Sequence, residues 1–453
     1  MTQLWFGYNR RPVPFCFRQY RGVLAIVVFL CGGGFGQASR KAAPKNLDTS
    51  WKLIAVKVTG SQRFKPEEII AASGLQIGQT ASEEDFKKAS ERLGATGIFG
   101  DVTYGFQYSP AGAKLDLQVT DNPQLVPARF ENLVWFSDQE LLQLLQARVP
   151  LFRGQLPLGG DLADEVSEAL QALLIEHQVQ GQADYIREAA KDKPIEAIIF
   201  SVSAHDVQIG EVDFPGAGAA ELALLREAAE PLRGQNYRRS IVQANERFGF
   251  LPVFLRRGYL KATFGQAQPK VVRDSAQETT VDVTIPVDPR KQYKLTGLQW
   301  SGNKVFSDEE LQNLIQLKTG QPANAVQLDE DLRHAQQLYG TRGYMAAELK
   351  PVPEMADESA EVKYEIQVNE GDQYHMGELE IRGLDSKLTD LLTTRWRLRE
   401  GDTYDSSYIG KFLQDTAKDL PADARWKPTI HVSLDDKAKT VDVSLGFEKR
   451  SVQ

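Results

Sequence analysis

Two pairs of adjacent glutamates, Glu67-Glu68 and Glu309-Glu310, stand in nearly the same stretch of sequence, TGSQRFKPEEI and SGNKVFSDEEL. Paired carboxylates are raw material for acid–base catalysis or cation binding. Denser acidic clusters occur at Glu83-Glu84-Asp85 and Asp329-Glu330-Asp331, and histidines at His177, His205, His334, His375 and His431. No two histidines stand at a metal-ligand spacing such as H-x3-H, and the chain contains no G-x-x-x-x-G-K-[ST], G-x-S-x-G or H-E-x-x-H. GGGFG at Gly32 lacks the lysine of a phosphate loop. The acidic groups read more simply as helix openings, where the macrodipole favours anions. Aligned without a gap, Gly302 falls on Gly60, Phe306 on Phe64 and the glutamate pairs on each other, 242 residues apart. A phrase written twice at that distance marks architecture. We therefore expect no enzyme, no metal site and no cofactor.

A chain of 453 residues is long enough for about three ordinary domains. With 42% hydrophobic and 25% charged residues it has the composition of folded protein. The N-terminus stands apart. Arg10, Arg11, Arg18 and Arg21 precede an uncharged run, Gly22 to Phe35, followed by small residues at Gly36 and Ala38. That is the layout of a secretory signal peptide, and the run falls short of the roughly 20 residues that span a bilayer. We take 1–38 as the signal and 39–50 as a linker. Both cysteines, Cys16 and Cys31, lie inside it, so an exported chain carries no thiol for disulfide, zinc or nucleophile. It would hold 49 basic against 61 acidic residues, a balance of −12 that disfavours nucleic acid and anionic lipid.

Behind the signal the chain repeats itself. A Gly-Gln or Gly-Asp pair recurs at Gly78, Gly154, Gly234, Gly320 and Gly401, at spacings of 76, 80, 86 and 81. A glycine with an aromatic nearby follows in four copies, TGIFGDVTYGF, GQADYIREA, RRGYLKATF and TRGYMAAEL, with a degenerate fifth, ADARWKPTIHVSL. An alternating strand then closes each unit, as in KLDLQVTDN and EVKYEIQVNEG. Within the first unit, Lys52–Thr59 alternates as a strand and a helix opens at Pro66. A second helix carries Phe86, Ala89 and Leu93 inward, and strands follow at about Asp101–Tyr108 and Ala113–Thr120. Ser82 with Asp85, Ser137 with Glu140 and Ser307 with Glu310 form candidate capping boxes.

The order β-α-α-β-β, with Gly-Gln before the second helix and Gly-Tyr at the second strand, resembles the POTRA domain. The fold class implied is α+β: five tandem units, each a three-stranded mixed sheet covered by two helices, in an elongated array. We place them at 51–121, 122–205, 206–288, 289–370 and 371–449. The second lacks a clear glycine after its first strand and carries a long Val149–Asp161 connection; the fifth lacks Gly-Tyr. Such arrays characterise the periplasmic arm of BamA-type outer-membrane assembly and translocation proteins, where a transmembrane β-barrel follows. Too few residues follow Phe447 here for a barrel.

The resemblance implies a periplasmic, outer-membrane-associated protein that binds unfolded outer-membrane β-barrel proteins or assembly-complex subunits, with a separate barrel protein as a further partner. It further implies that the second strand of each unit is an exposed edge, able to take an extended peptide as an added strand. Candidate edge residues are Tyr259, Leu260, Lys261, Ala262, Thr263 and Phe264 in the third unit. In the fourth they are Tyr344, Met345, Ala346, Ala347, Glu348 and Leu349. The rival is a spacer or membrane-anchored scaffold in a cell-envelope complex. In that case Gly258-Tyr259 and Gly343-Tyr344 merely turn the chain and fill the core, and Lys261 and Lys350 protect an edge.

Overall fold

The computed structural model describes residues 50–189, 194–275, 277–421 and 425–450; the expected signal and both cysteines lie outside them. The described chain builds six sheets, of which five follow in sequence with the order β-α-α-β-β, and the sixth is a two-stranded pair, Thr263–Phe264 with Val287–Asp288. In unit one the opening strand Trp51–Thr59 leads to helices Pro66–Ser73 and Glu83–Ala95. The second strand Phe99–Ser109 and third strand Gly112–Asp121 follow. The third strand lies in the middle, parallel to the opening strand and antiparallel to the second, which is left at the edge. Every later unit repeats this opening–central–edge order. Units one and two add a short fourth strand, Thr80–Ala81 and Gln155–Pro157, beyond the opening strand, so their sheets exceed the three strands expected.

Local chemistry explains the elements. Ser307 accepts the amide of Glu310 while the Glu310 carboxylate accepts that of Ser307 at 2.8 Å, a closed capping box. Ser82 and Asp85 close another; Ser137 accepts from Glu140 at 3.2 Å. Phe86, Ala89 and Leu93 are buried as the helical spacing requires. Gly302 has φ +87°, and a Cβ there would lie 2.3 Å from the Val368 carbonyl, so only glycine lets the chain leave the opening strand. Gly60 does the same against Val119. The missing glycine of unit two is replaced by Asn132. Its buried amide donates to Val202 O at 2.9 Å and accepts from Val202 N at 2.8 Å, reaching the central strand by side chain.

The Gly-Gln pairs have a backbone role. Gly320 N donates to Leu295 O and Leu295 N to Gln321 O, at 2.7 and 2.9 Å, tying the loop before the second helix to the opening strand. Gly78-Gln79 does this with Leu53, Gly234-Gln235 with Ile209 and Gly401-Asp402 with Met376. Each pair thus needs a glycine followed by any residue with a free carbonyl.

One expectation is corrected. Asp329-Glu330-Asp331 does not open a helix; the helix is Ala325–Gly340, capped by Asn324 accepting from Gln327 N. Asp331 is fully buried one turn further on, where it accepts from Gln316 N at 2.8 Å and Gln327 Nε2 at 2.9 Å. In unit three the second helix contains a π-turn, Glu246–Phe250, just before Pro252, which has no N–H for the regular ladder.

Candidate functional site

The edge strands carry the unpaired backbone groups that binding by strand addition needs. They are Phe99–Ser109, Gln182–Ala189, Gln268–Asp274, Glu348–Ala356 and Arg425–Asp435. The candidate residues of unit three lie ahead of its edge. Tyr259 to Ala262 form a turn, and Thr263–Phe264 is a two-residue strand paired with Val287–Asp288. In unit four Tyr344 to Ala347 are likewise a turn, and only Glu348 and Leu349 lie on the edge strand, with Lys350. This corrects the placement.

The physical reason is that these turns dock the next unit. Tyr293, at the start of unit four, donates its amide to Gly258 O at 2.8 Å, and Gln292 Nε2 reaches Arg257 O at 2.8 Å. Leu260 packs against the unit-four core. Lys261 Nζ pairs with Asp357 at 2.5 Å, and Tyr293 OH donates to the same carboxylate at 2.7 Å. The hydrogen bond from Lys261 holds Asp357 below the usual carboxylate range, and the bond to Asp357 pushes Tyr293 up, so the cluster stays ionic. One junction later the arrangement recurs. Tyr374 N donates to Gly343 O at 2.8 Å and Gln373 Nε2 to Arg342 O at 2.9 Å. Met345 packs on the unit-five core, and Tyr374 OH donates to Asp436 at 2.6 Å. Sequence reasoning had found Arg-Gly-Tyr but missed its partner, the Gln-Tyr at 292–293 and 373–374, which was there to be read. Tyr259 and Tyr344 are half-buried, each edge-on to an aromatic of its own unit, Phe254 and Tyr339.

The other junctions use different chemistry. Units one and two share one hydrophobic core, and Arg153 pairs with Glu68 at 2.6 Å while lying over the Phe64 ring. Between units two and three, Arg239 and Gln266 converge on Asp138, at 2.7 and 2.5 Å, and Ser240 N and Oγ on Glu131, at 3.0 and 2.9 Å. Arg239 is the chief cause of a lowered Asp138 pKa. His205 is buried here, its Nε2 2.8 Å from Thr279 Oγ1, which donates to Asp274 at 2.5 Å. This histidine is structural.

The family described as "Surface antigen variable number repeat", POTRA, matches residues 52–121 and 293–371. These two segments are POTRA domains. They contain all the elements of units one and four. Among curated proteins, a putative outer membrane protein assembly factor of Treponema pallidum (strain Nichols) is 26% identical over 163 residues, 36% of this chain and 20% of that protein. The outer membrane protein assembly factor BamA of Neisseria meningitidis serogroup B is 26% identical over 145 residues, 30% of this chain and 18% of that protein. The chain thus spans about a fifth of these relatives. Among solved structures, POTRA3-5 of Haemophilus influenzae BamA is 20% identical, covering 53% of this chain and 96% of that one at a TM-score of 0.44. In the POTRA segments the edge strands are Phe99–Ser109 and Glu348–Ala356, while the Gly343 turn of the second is occupied by the unit that follows.

Proposed function

We propose that this protein is a non-enzymatic arm of outer-membrane protein assembly, made of five POTRA-type units and working in the periplasm. It binds unfolded β-barrel clients or partner subunits by strand addition along the sheet edges. The observation that carries this reading is the edge left unpaired in the same place in each of the five larger sheets among the described residues, beside two POTRA matches and relatives named as assembly factors. Backbone hydrogen bonds accept clients of many sequences, which suits a handler of strands that have not yet paired. The test is binding of the purified chain to a urea-unfolded outer-membrane β-barrel protein on dilution, with crosslinking in the envelope to identify the partner. No binding to clients or envelope subunits would sink it.

A second reading, a spacer or scaffold, is favoured by the paired hydrogen bonds of the Gly258–Tyr293 and Gly343–Tyr374 junctions, which restrain the angle between units. Mass spectrometry of the mature N-terminus separates the two. A chain starting near Ser39 fits a released arm, and one starting at Met1 an anchored scaffold.

A further inference from the structure

The five edges differ in their capacity to accept a strand, because proline removes the donor that an added strand must use. Glu348–Ala356 contains Pro351 and Pro353, two residues apart on an unbroken register with the central strand. A proline cannot serve the ladder, so both nitrogens face outward, and two successive outward donors are missing. The edge of unit three loses one at Pro269. In unit two, Ala183 N already donates to Gln171 Oε1 and Ala183 O accepts from Ser167 Oγ, both at 2.9 Å. Unit one keeps its donors, but Tyr104 and Phe106 are packed against its core and Tyr108 stacks on Trp51 at 4.8 Å.

Unit five is different. Its edge strand Arg425–Asp435 has one proline, Pro428, and the register with Thr440–Arg450 is unbroken. Pro428 fixes which nitrogens face outward, and alternation then puts the amides of Ile430, Val432 and Leu434 on that open side. Their side chains are 50%, 37% and 41% exposed, three uncovered apolar groups in a row. The cause is a short helix. Tyr408–Thr416 has 9 residues, about 14 Å of cover, against an edge strand of 11 residues, about 36 Å long. Where the helix does lie over the strand, a groove of about 400 Å³ opens between Leu413, Ala417 and Leu420 on one side and Trp426 and Pro428 on the other. Lys418, also on the groove, is exposed, and among the described residues no ion pair holds it, whereas Lys427 lies on the other face of the strand, opposite Glu448 in the ladder.

We propose that the strand-accepting edge of this protein is residues 429–435 of unit five, with the edge of unit four closed by Pro351 and Pro353. The occupant is an extended polypeptide segment with apolar residues at every second position and a carboxylate at the end facing Lys418. The period-two apolar row matches the side-chain period of a strand, and Lys418 on the groove supplies the charge complement. An isolated strand can continue from the edge into the groove. A second folded copy, its own edge flanked by its sheet, cannot. The assignment rests on the strand-addition reading above.

The test uses the full exported chain and a fluorescent ten-residue peptide of alternating valine and threonine ending in two aspartates, read by anisotropy. Val432→Pro removes an outward donor that the sheet does not use and is expected to weaken binding at least tenfold. Pro351→Val with Pro353→Val is expected to create a second site. Hydrogen exchange on the unmutated chain, which needs no variant to fold, should show Ile430, Val432 and Leu434 amides slowed when the peptide is added. If Val432→Pro folds and binds as before, or those amides are unchanged in a complex that does form, this assignment fails while strand addition stands. If the unmutated chain binds no peptide, strand addition itself fails. A dimer that Val432→Pro dissolves, with no peptide bound, makes the edge a contact between copies and overturns the proposal.

Discussion

The amide of Tyr293 donates to the carbonyl of Gly258 at 2.8 Å, joining the residue just before one unit's opening strand to the turn before the edge strand of the unit preceding it. Gly258 has φ +83°, and a Cβ there would stand 2.7 Å from Tyr293 O, so the glycine serves the neighbour as much as its own turn. The same bond from Tyr374 to Gly343 makes this a repeated hinge restraint rather than an accident of one loop.

Replacing Gly258 with alanine should therefore strain its own backbone and push the next unit away. A cost of about 1–3 kcal/mol is expected for forcing a side chain into that conformation. The signature is local: faster proteolysis in the connection 286–293 with the cores of both units intact. A variant cleaved no faster than the parent would show that the junction does not depend on this approach.

The unit two–three junction should loosen in acid. Asp138 is held below the ordinary aspartate value of 3.8, chiefly by the hydrogen bond from Arg239, so its contribution is complete above that value. Stability rises with pH wherever the unfolded state binds more protons, and the contribution is lost as pH falls through the lowered value. Asp138→Asn should flatten this part of the acid-unfolding curve, read by fluorescence between pH 5 and pH 2. An unchanged curve would place the acid sensitivity elsewhere.

Legibility in the sequence followed the physics of each feature. Gly60, Gly302 and the Gly-Gln pairs were visible because backbone geometry admits no substitute at the glycine, so the residue recurs at nearly fixed spacing. Ser82, Ser307 and Pro66 were visible because caps are local. The edge strands were placed several residues early in units three and four. Alternation identifies a strand but not its partner, and within Tyr259 to Ala262 the side chains of Leu260 and Lys261 go to the next unit, Lys261 to Asp357 96 positions away. Asn132 was missed for a related reason: a side-chain amide that imitates a glycine's close approach leaves no glycine to find.

That substitution makes a prediction of its own. Asn132 satisfies both the N–H and the carbonyl of Val202, and it is buried. Asn132→Ala leaves both backbone groups without partners and should cost about 1–3 kcal/mol in chemical denaturation. Asn132→Asp, which accepts from Val202 N but cannot donate to Val202 O when ionised, should also destabilise. Equal stability of parent and alanine variant would mean that water replaces the amide.

The last expectation separates Asp331 from the acidic residues beside it. Asp329 and Glu330 are not buried, Asp329 meeting only Arg333 on the helix surface, whereas Asp331 is fully buried and holds the Gln316 amide of the loop that leads to Gly320. Asp331→Ala should therefore cost about 1.5–3 kcal/mol through the loss of the hydrogen bonds its buried carboxylate accepts, while Asp329→Ala should change stability by about 0.5 kcal/mol or less. Because Gly320 and Gln321 bond the opening strand next to that loop, the damage should spread to the Lys294–Ser301 strand, where hydrogen exchange of the Leu295 amide reports it. Equal losses from both substitutions would return Asp331 to the role of a surface charge on a helix.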